Sequence, residues 1–252
     1  MTGKKAVTLF VPCLVDAFRP EAAEAVVAVF ERLGVAVGYP EGQTCCGQPA
    51  FNAGYRDEAR RAARRFLRLF AAAEAVVCPS GSCVAMVRHH YPALFEEEPD
   101  WRELARRTAA RTFEFTEYLV DVLGAEDLGA SFAGRVTYHD SCHLLRGLGV
   151  RLQPRRLLRR VKGLEFVEMK NADCCCGFGG AFSVKYPDIS TALVADKIAW
   201  IQESGAEAVV GGDLGCLLNI EGALRRRGLP IRALHIAQVL AGERFSREGA
   251  RP

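Results

Sequence analysis

Cys45-Cys46-Gly47 and Cys175-Cys176-Gly177 decide how this 252-residue chain is read, because one tripeptide recurs 130 residues apart with matching partners on either side. Cys13 stands before the first copy and Cys142 before the second; Cys83 follows the first and Cys216 the second. The matching cysteines are offset by 129, 130 and 133 residues, a drift that surface loops absorb at little cost. The chain is therefore read as a duplication. Its boundary falls near Gly124 to Gly134, a stretch with three glycines and little periodicity, which sets the repeats at 1–128 and 129–252.

Working outward, an apolar run leads into each repeated position of the pattern. Ala6 to Val11 and Arg135 to Tyr138 precede the first cysteine of each repeat, Val35 to Tyr39 and Leu164 to Met169 the double cysteine, and Ala75 to Val77 and Ala208 to Val210 the last. Such short runs read as buried strands. Between them, Glu21 to Leu33, Arg56 to Ala72 and Pro187 to Ser204 place apolar residues three and four apart, the period of an amphipathic helix. The fold class is α/β: two pseudo-symmetric halves, each a parallel sheet with flanking helices and right-handed crossovers. In such a sheet the loops after the strands share one edge, so cysteines far apart in sequence are expected to meet at the C-terminal strand ends.

Composition removes several function classes. With 33 Lys+Arg against 30 Asp+Glu, the net charge of +3 makes no broad field for phosphates, and nucleic acid is not an expected partner. The apolar stretch Ala6 to Val15 is interrupted by Pro12 and followed by Asp16 rather than a small-residue cleavage site, so a signal peptide is not expected, and no segment reaches the roughly 18 apolar residues of a membrane span. A cytoplasmic location is expected, where thiols stay reduced, so ten cysteines point to metal or redox chemistry rather than structural disulfides. No Gly-x-Gly-x-x-Gly follows the first strand and no phosphate-binding Gly-x-x-x-x-Gly-Lys-Ser/Thr is present.

Cys13, Cys45, Cys46 and Cys83 form one candidate ligand set, and Cys142, Cys175, Cys176 and Cys216 the other. Four thiolates suit either a tetrahedral zinc or a 4Fe-4S cluster. Adjacent cysteines followed by glycine favour the wider iron–sulfur cluster over zinc, which remains the alternative. His139 and His143 flank Cys142 and are candidates for carrying protons or for hydrogen bonding to the thiolates, with Asp140 or Ser141 as caps of the following helix. Arg146 lies one turn further on. His235 is expected to be partly buried and structural, His89 and His90 to lie on the surface, and the pairs Arg60-Arg61, Arg64-Arg65, Arg155-Arg156, Arg159-Arg160 and Arg225 to Arg227 to be solvated helix faces. Cys78 reads as a small buried hydrophobe, and Cys174 is open between spare ligand, redox thiol and bystander.

The double-cysteine-glycine repeat, together with Tyr138-His139-Asp140-Ser141-Cys142-His143 and Cys175-Cys176-Gly177-Phe178-Gly179-Gly180, resembles the cysteine-rich CCG domain proteins. That group includes the cysteine-rich component of heterodisulfide reductase, the iron–sulfur subunit of glycolate oxidase, and two-repeat proteins of lactate utilization. The resemblance implies an iron–sulfur electron-transfer subunit of a complex oxidising L-lactate to pyruvate, with a ferredoxin-like iron–sulfur subunit and a third subunit as partners. Alternatives within its reach are a thiol/disulfide redox subunit, a glycolate-oxidase-type subunit and a zinc-stabilised docking module. The heterodisulfide reductase form ends each motif in Cys-x-x-Cys, but here Ser80 and Asp213 stand three residues before Cys83 and Cys216. The extra Cys-x-x-Cys-x-x-Cys segment of the glycolate oxidase subunit is absent from this sequence.

Overall fold

A computed structural model describes residues 6–242. Its first sheet comprises β1 (Ala6–Leu9), β2 (Ala36–Gly38), β3 (Val76–Cys78) and β4 (Thr112–Glu114); its second comprises β5 (Ser131–His139), β6 (Lys162–Phe166), β7 (Ala208–Gly211) and β8 (Arg232–His235). The orders are β2-β1-β3-β4 and β6-β5-β7-β8, all neighbours parallel. Registers match across the repeat: Thr8 pairs with Val76 and Leu9 with Val77, as Thr137 pairs with Val209 and Tyr138 with Val210. This is the two-half α/β architecture read from the sequence.

The central strands β3 and β7 are buried along their whole length, which explains why they appear in the sequence as unbroken apolar runs. Each sheet also carries a fourth strand beyond the three expected. Thr112 and Glu114 in β4 are polar yet buried, and Arg232 and His235 interrupt β8, so neither run carries an apolar signature. Part of the glycine-bearing linker is strand as well: β5 begins at Ser131, and its pairing with β6 shifts register between Ser131 and Gly134.

The halves share one core. Val29 and Phe30 of the Pro20–Arg32 helix lie in the same buried cluster as Ile236, Val239 and Leu240 of the Ile236–Ala241 helix. Reciprocally, Phe115 and Leu119 of the first half cluster with Leu157 and Leu158 of the second half's Leu152–Leu158 helix. Each half thus lends the helical segment after its fourth strand to the other, Ile236–Ala241 covering Pro20–Arg32 and the segment after β4 covering Leu152–Leu158. Arg32 fastens one seam by donating to the carbonyls of Leu128, Leu240 and Ala241 at 3.1, 3.1 and 2.6 Å, and Arg19 fastens another through a two-pronged pair with Glu221 at 2.7 Å.

Candidate metal centre between the two halves

A cavity of about 330 Å³ opens between the halves, and all eight repeated cysteines line it. Four of them sit where a helix begins just beyond a strand. Cys13 opens the Cys13–Phe18 helix, Cys83 lies in the first turn of Gly81–Ala85, Cys216 in the first turn of Leu214–Arg226, and Cys142 precedes the wide turn His143–Gly147. The double cysteines occupy the irregular segments after β2 and β6.

Within each half the thiols adjoin in sequence. Cys45 interacts with Cys13 and Cys46, and Cys46 with Cys83; Cys175 interacts with Cys142 and Cys176, and Cys176 with Cys216. The first cysteine of each double cysteine is drawn toward the thiolate, and Cys83 is lowered as well by its bonds from Cys46 and Cys78. Hydrogen bonds from Cys13, Cys46 and the Gly47 N–H draw the Cys45 pKa down to about 3, and Cys142, Cys176 and the Gly177 N–H draw Cys175 down likewise. Their partners move the other way: Cys13 and Cys142 are raised by bonding to that thiolate and by burial. Gly47 and Gly177 donate to Cys45 Sγ and Cys175 Sγ at 3.4 and 3.3 Å.

Both glycines are required by geometry. Gly47 and Gly177 have φ of 83° and 84°, and an added Cβ at Gly177 would stand 2.5 Å from the Ser190 carbonyl. The same contact appears in the first half, where a Cβ at Gly47 would stand 3.1 Å from the Ala62 side chain and 3.3 Å from the Ala59 carbonyl. The loop holding the double cysteine is therefore pressed directly onto the following long helix in each repeat.

His139 is 1% exposed, and its ring nitrogens make no well-formed hydrogen bond, with the Ala172 backbone as the polar group acting on the ring. Burial, then the neighbouring Lys197, pushes its pKa down to about 3, so the ring is neutral. A ring nitrogen of His139 and the sulfurs of Cys176 and Cys216 lie within 4.8 Å of one another. His143 lines the cavity, its Nε2 3.4 Å from Gln48 Nε2 of the other half. Eight soft sulfur donors at one cavity, with the buried His139 imidazole beside two of them, fit a thiolate-ligated metal group.

Other residues depart from the roles expected of them. Asp140 caps no helix: it is buried and takes both prongs of Arg155 at 2.8 Å, and Glu168 meets the same guanidinium at 2.8 and 2.6 Å. Arg155 is correspondingly buried rather than solvated, whereas Arg225 to Arg227 are exposed as expected. Arg146 is exposed and donates to the Asp173 carbonyl. His89 is exposed, but His90 is half-buried against the Phe51 ring. His235 is fully buried and caps the last helix. Cys78 is fully buried beside Cys83, and Cys174 is half-buried; neither lines the cavity. Lys197 was not singled out in the sequence, since it sits on the apolar side of a long helix, where lysine ordinarily reaches solvent; here it is 0% exposed.

Two α/β halves, each presenting four cysteines at the carboxyl edge of a parallel sheet, define a duplicated cysteine-rich domain. The family model of the CCG cysteine-rich domain matches residues 7–88 and again 136–221, once in each half. Lactate utilization protein A of Geobacillus kaustophilus (strain HTA426) is 55% identical over 234 residues, covering 93% of this chain and 98% of that protein. The protein of the same name from Bacillus subtilis (strain 168) is 49% identical with the same coverage. The chain belongs to this lactate utilization protein A family of CCG cysteine-rich domain proteins. Among solved structures, a hypothetical protein from Helicobacter pylori has the same fold, with a TM-score of 0.62 at 9% identity, covering 94% of this chain and 48% of that one.

Proposed function

We propose that each repeat, 1–128 and 129–252, holds an iron–sulfur centre on its four cysteines and that the chain carries electrons within a cytoplasmic complex oxidising L-lactate to pyruvate. The arrangement of the thiols carries this reading. In each half Cys13 or Cys142, the double cysteine and Cys83 or Cys216 are linked thiol to thiol and line a shared cavity. Eight thiols around one cavity offer four donors to each of two multi-iron clusters, which when bound would supply one-electron couples.

The chain's own groups prepare the site. Cys45 and Cys175 are drawn toward the thiolate by their neighbours, Gly47 and Gly177 orient an N–H on each, and buried walls such as Cys46 and Cys176 exclude water. The substrate is inferred from the names of the relatives. A ferredoxin-like iron–sulfur subunit and a third subunit are the proposed partners, and no helix among the described residues is long and apolar enough to cross a membrane. A second reading is favoured by one observation: His139, Cys176 and Cys216 lie close enough for a mixed zinc site in the second half.

Anaerobic purification with iron, sulfide and zinc measured per chain, and EPR before and after reduction, tests the proposal. About eight iron and eight sulfide per chain with a paramagnetic signal is the expected result, followed by lactate-dependent reduction when the partner subunits are added. Stoichiometric zinc without iron, even after reconstitution, would sink it.

A further inference from the structure

The duplication permits a position-by-position comparison of the two cysteine sites, and their second layers differ in charge. Phe10 is the last position before the first site in the frame that pairs Thr8 with Thr137 and Leu9 with Tyr138, so its counterpart is His139. The long helices Arg56–Leu69 and Pro187–Glu203 align through the equivalent contacts of Gly47 with Ala59 and Gly177 with Ser190, so the counterpart of Phe66 is Lys197. In the first half Phe10 and Phe66 stack edge to face at 4.9 Å, both buried. In the second half the same two places hold His139 and Lys197, also buried.

Lys197 directs its ammonium at the loop that carries the double cysteine, donating to the carbonyls of Asn171 and Ala172 at 2.7 and 3.2 Å. An imidazole keeps at least one N–H, and one ring nitrogen of His139 lies within 4.8 Å of the sulfurs of Cys176 and Cys216, with the Ala172 backbone as its protein neighbour. Of the carboxylates whose charge reaches Lys197, Asp140 is closed off by Arg155 and Asp173 is exposed to solvent. The first site has the opposite surroundings. Asp213 reaches across from the second half, is buried, accepts from the Ser82 N–H at 2.8 Å and lies in the field of Cys83. Its counterpart in the repeat is the uncharged Ser80, three residues before Cys83, which bonds to Cys83 of its own half.

On the reading that both sites hold iron–sulfur centres, we propose that His139 and Lys197 hold the second site (Cys142, Cys175, Cys176, Cys216) at a higher reduction potential than the first, so that an electron on this chain resides at the second site. Positive charge and N–H donors around cluster sulfurs stabilise the reduced state, while a buried carboxylate opposes it. His139, Lys197 and Asp213 act through the sulfurs and are tuning groups, not catalytic residues. The relay therefore has a direction, from the aromatic-walled site to the cationic one.

The test is an EPR-monitored redox titration of the intact, anaerobically prepared protein, with metal and sulfide measured on the same sample. The expected result is two one-electron waves, with at least a tenfold preference for the upper site, which is 59 mV for such a couple. H139F/K197F, which installs the pair already accommodated in the first half, lowers the upper wave alone. D213N, which keeps an acceptor for the Ser82 N–H, raises the lower wave alone. Coincident waves, or H139F/K197F shifting the lower wave or neither, overturn the inference while iron and sulfide content upholds the iron–sulfur reading. Zinc at the second site overturns the inference, and absence of iron from both sites overturns the two together.

Discussion

Asp140 and Arg155 form a closed ion pair beneath the second cysteine site, their side chains 2% and 7% exposed. Removing one partner leaves the other's charge buried, which ordinarily costs about 3–5 kcal/mol. Asp140→Ala is expected to lower the unfolding free energy by that amount in urea denaturation; a loss below about 1 kcal/mol would mean that Glu168 alone satisfies Arg155. At this scale the sequence was partly legible. The eight cysteines announced themselves by repetition, and the structure brings them to one cavity. Asp140 and Arg155 did not, because a charge followed by a helix looks the same whether it caps that helix or is buried by a partner fifteen residues away. Lys197 was hidden for the same reason: burial of a charge depends on tertiary neighbours that local pattern does not encode.

The fourth strands are the elements that most escaped the sequence, and their ends explain why. Glu114 closes β4 and His235 closes β8, each capping the helix that follows with a reciprocal capping box. These polar groups break the apolar runs, yet both are buried, and burial moves their pKa values in opposite directions. Glu114 is raised from 4.5 to about 7, chiefly by desolvation, so the folded state binds its proton more tightly than the unfolded one. Stability from this group falls as the pH rises from 4.5 through 7, by about 3 kcal/mol. Glu114→Gln, which keeps the acceptor, is expected to flatten that slope in denaturant titrations at successive pH values. His235 is lowered from 6.5 to about 4 by burial, so its contribution is lost as the pH falls through that window. The ring accepts from the Ala237 N–H at Nδ1, which leaves Nε2 to donate to the Pro79 carbonyl at 3.1 Å. His235→Asn should reduce the acid-side loss; an unchanged slope would place the sensitivity at His139 instead.

In the whole molecule, the exchange of terminal helices makes the halves one folding unit. Phe30 sits at that seam, fully buried, edge to face with Phe115 at 5.6 Å. Phe30→Ala should cost about 3–5 kcal/mol and destabilise both halves together. Trp101 lies in the first half and Trp200 in the second, so W101F and W200F leave one reporter each. Their fluorescence midpoints in denaturant are expected to coincide and to shift together with F30A; separated midpoints would mean independently stable halves. The duplication and the sheet class were legible in the sequence because period and repetition are local. The exchange was not, because an apolar stripe states that it must be covered and not by which repeat. That exchange also bears on how far the repeats can differ. A lone copy of this repeat would leave the helix that its twin covers bare unless a second copy supplied the cover, as in a two-fold symmetric pair. Two separate identical copies would carry identical sites. Two repeats in one chain need not, and Phe10 with Phe66 in the first half stand where His139 with Lys197 stand in the second.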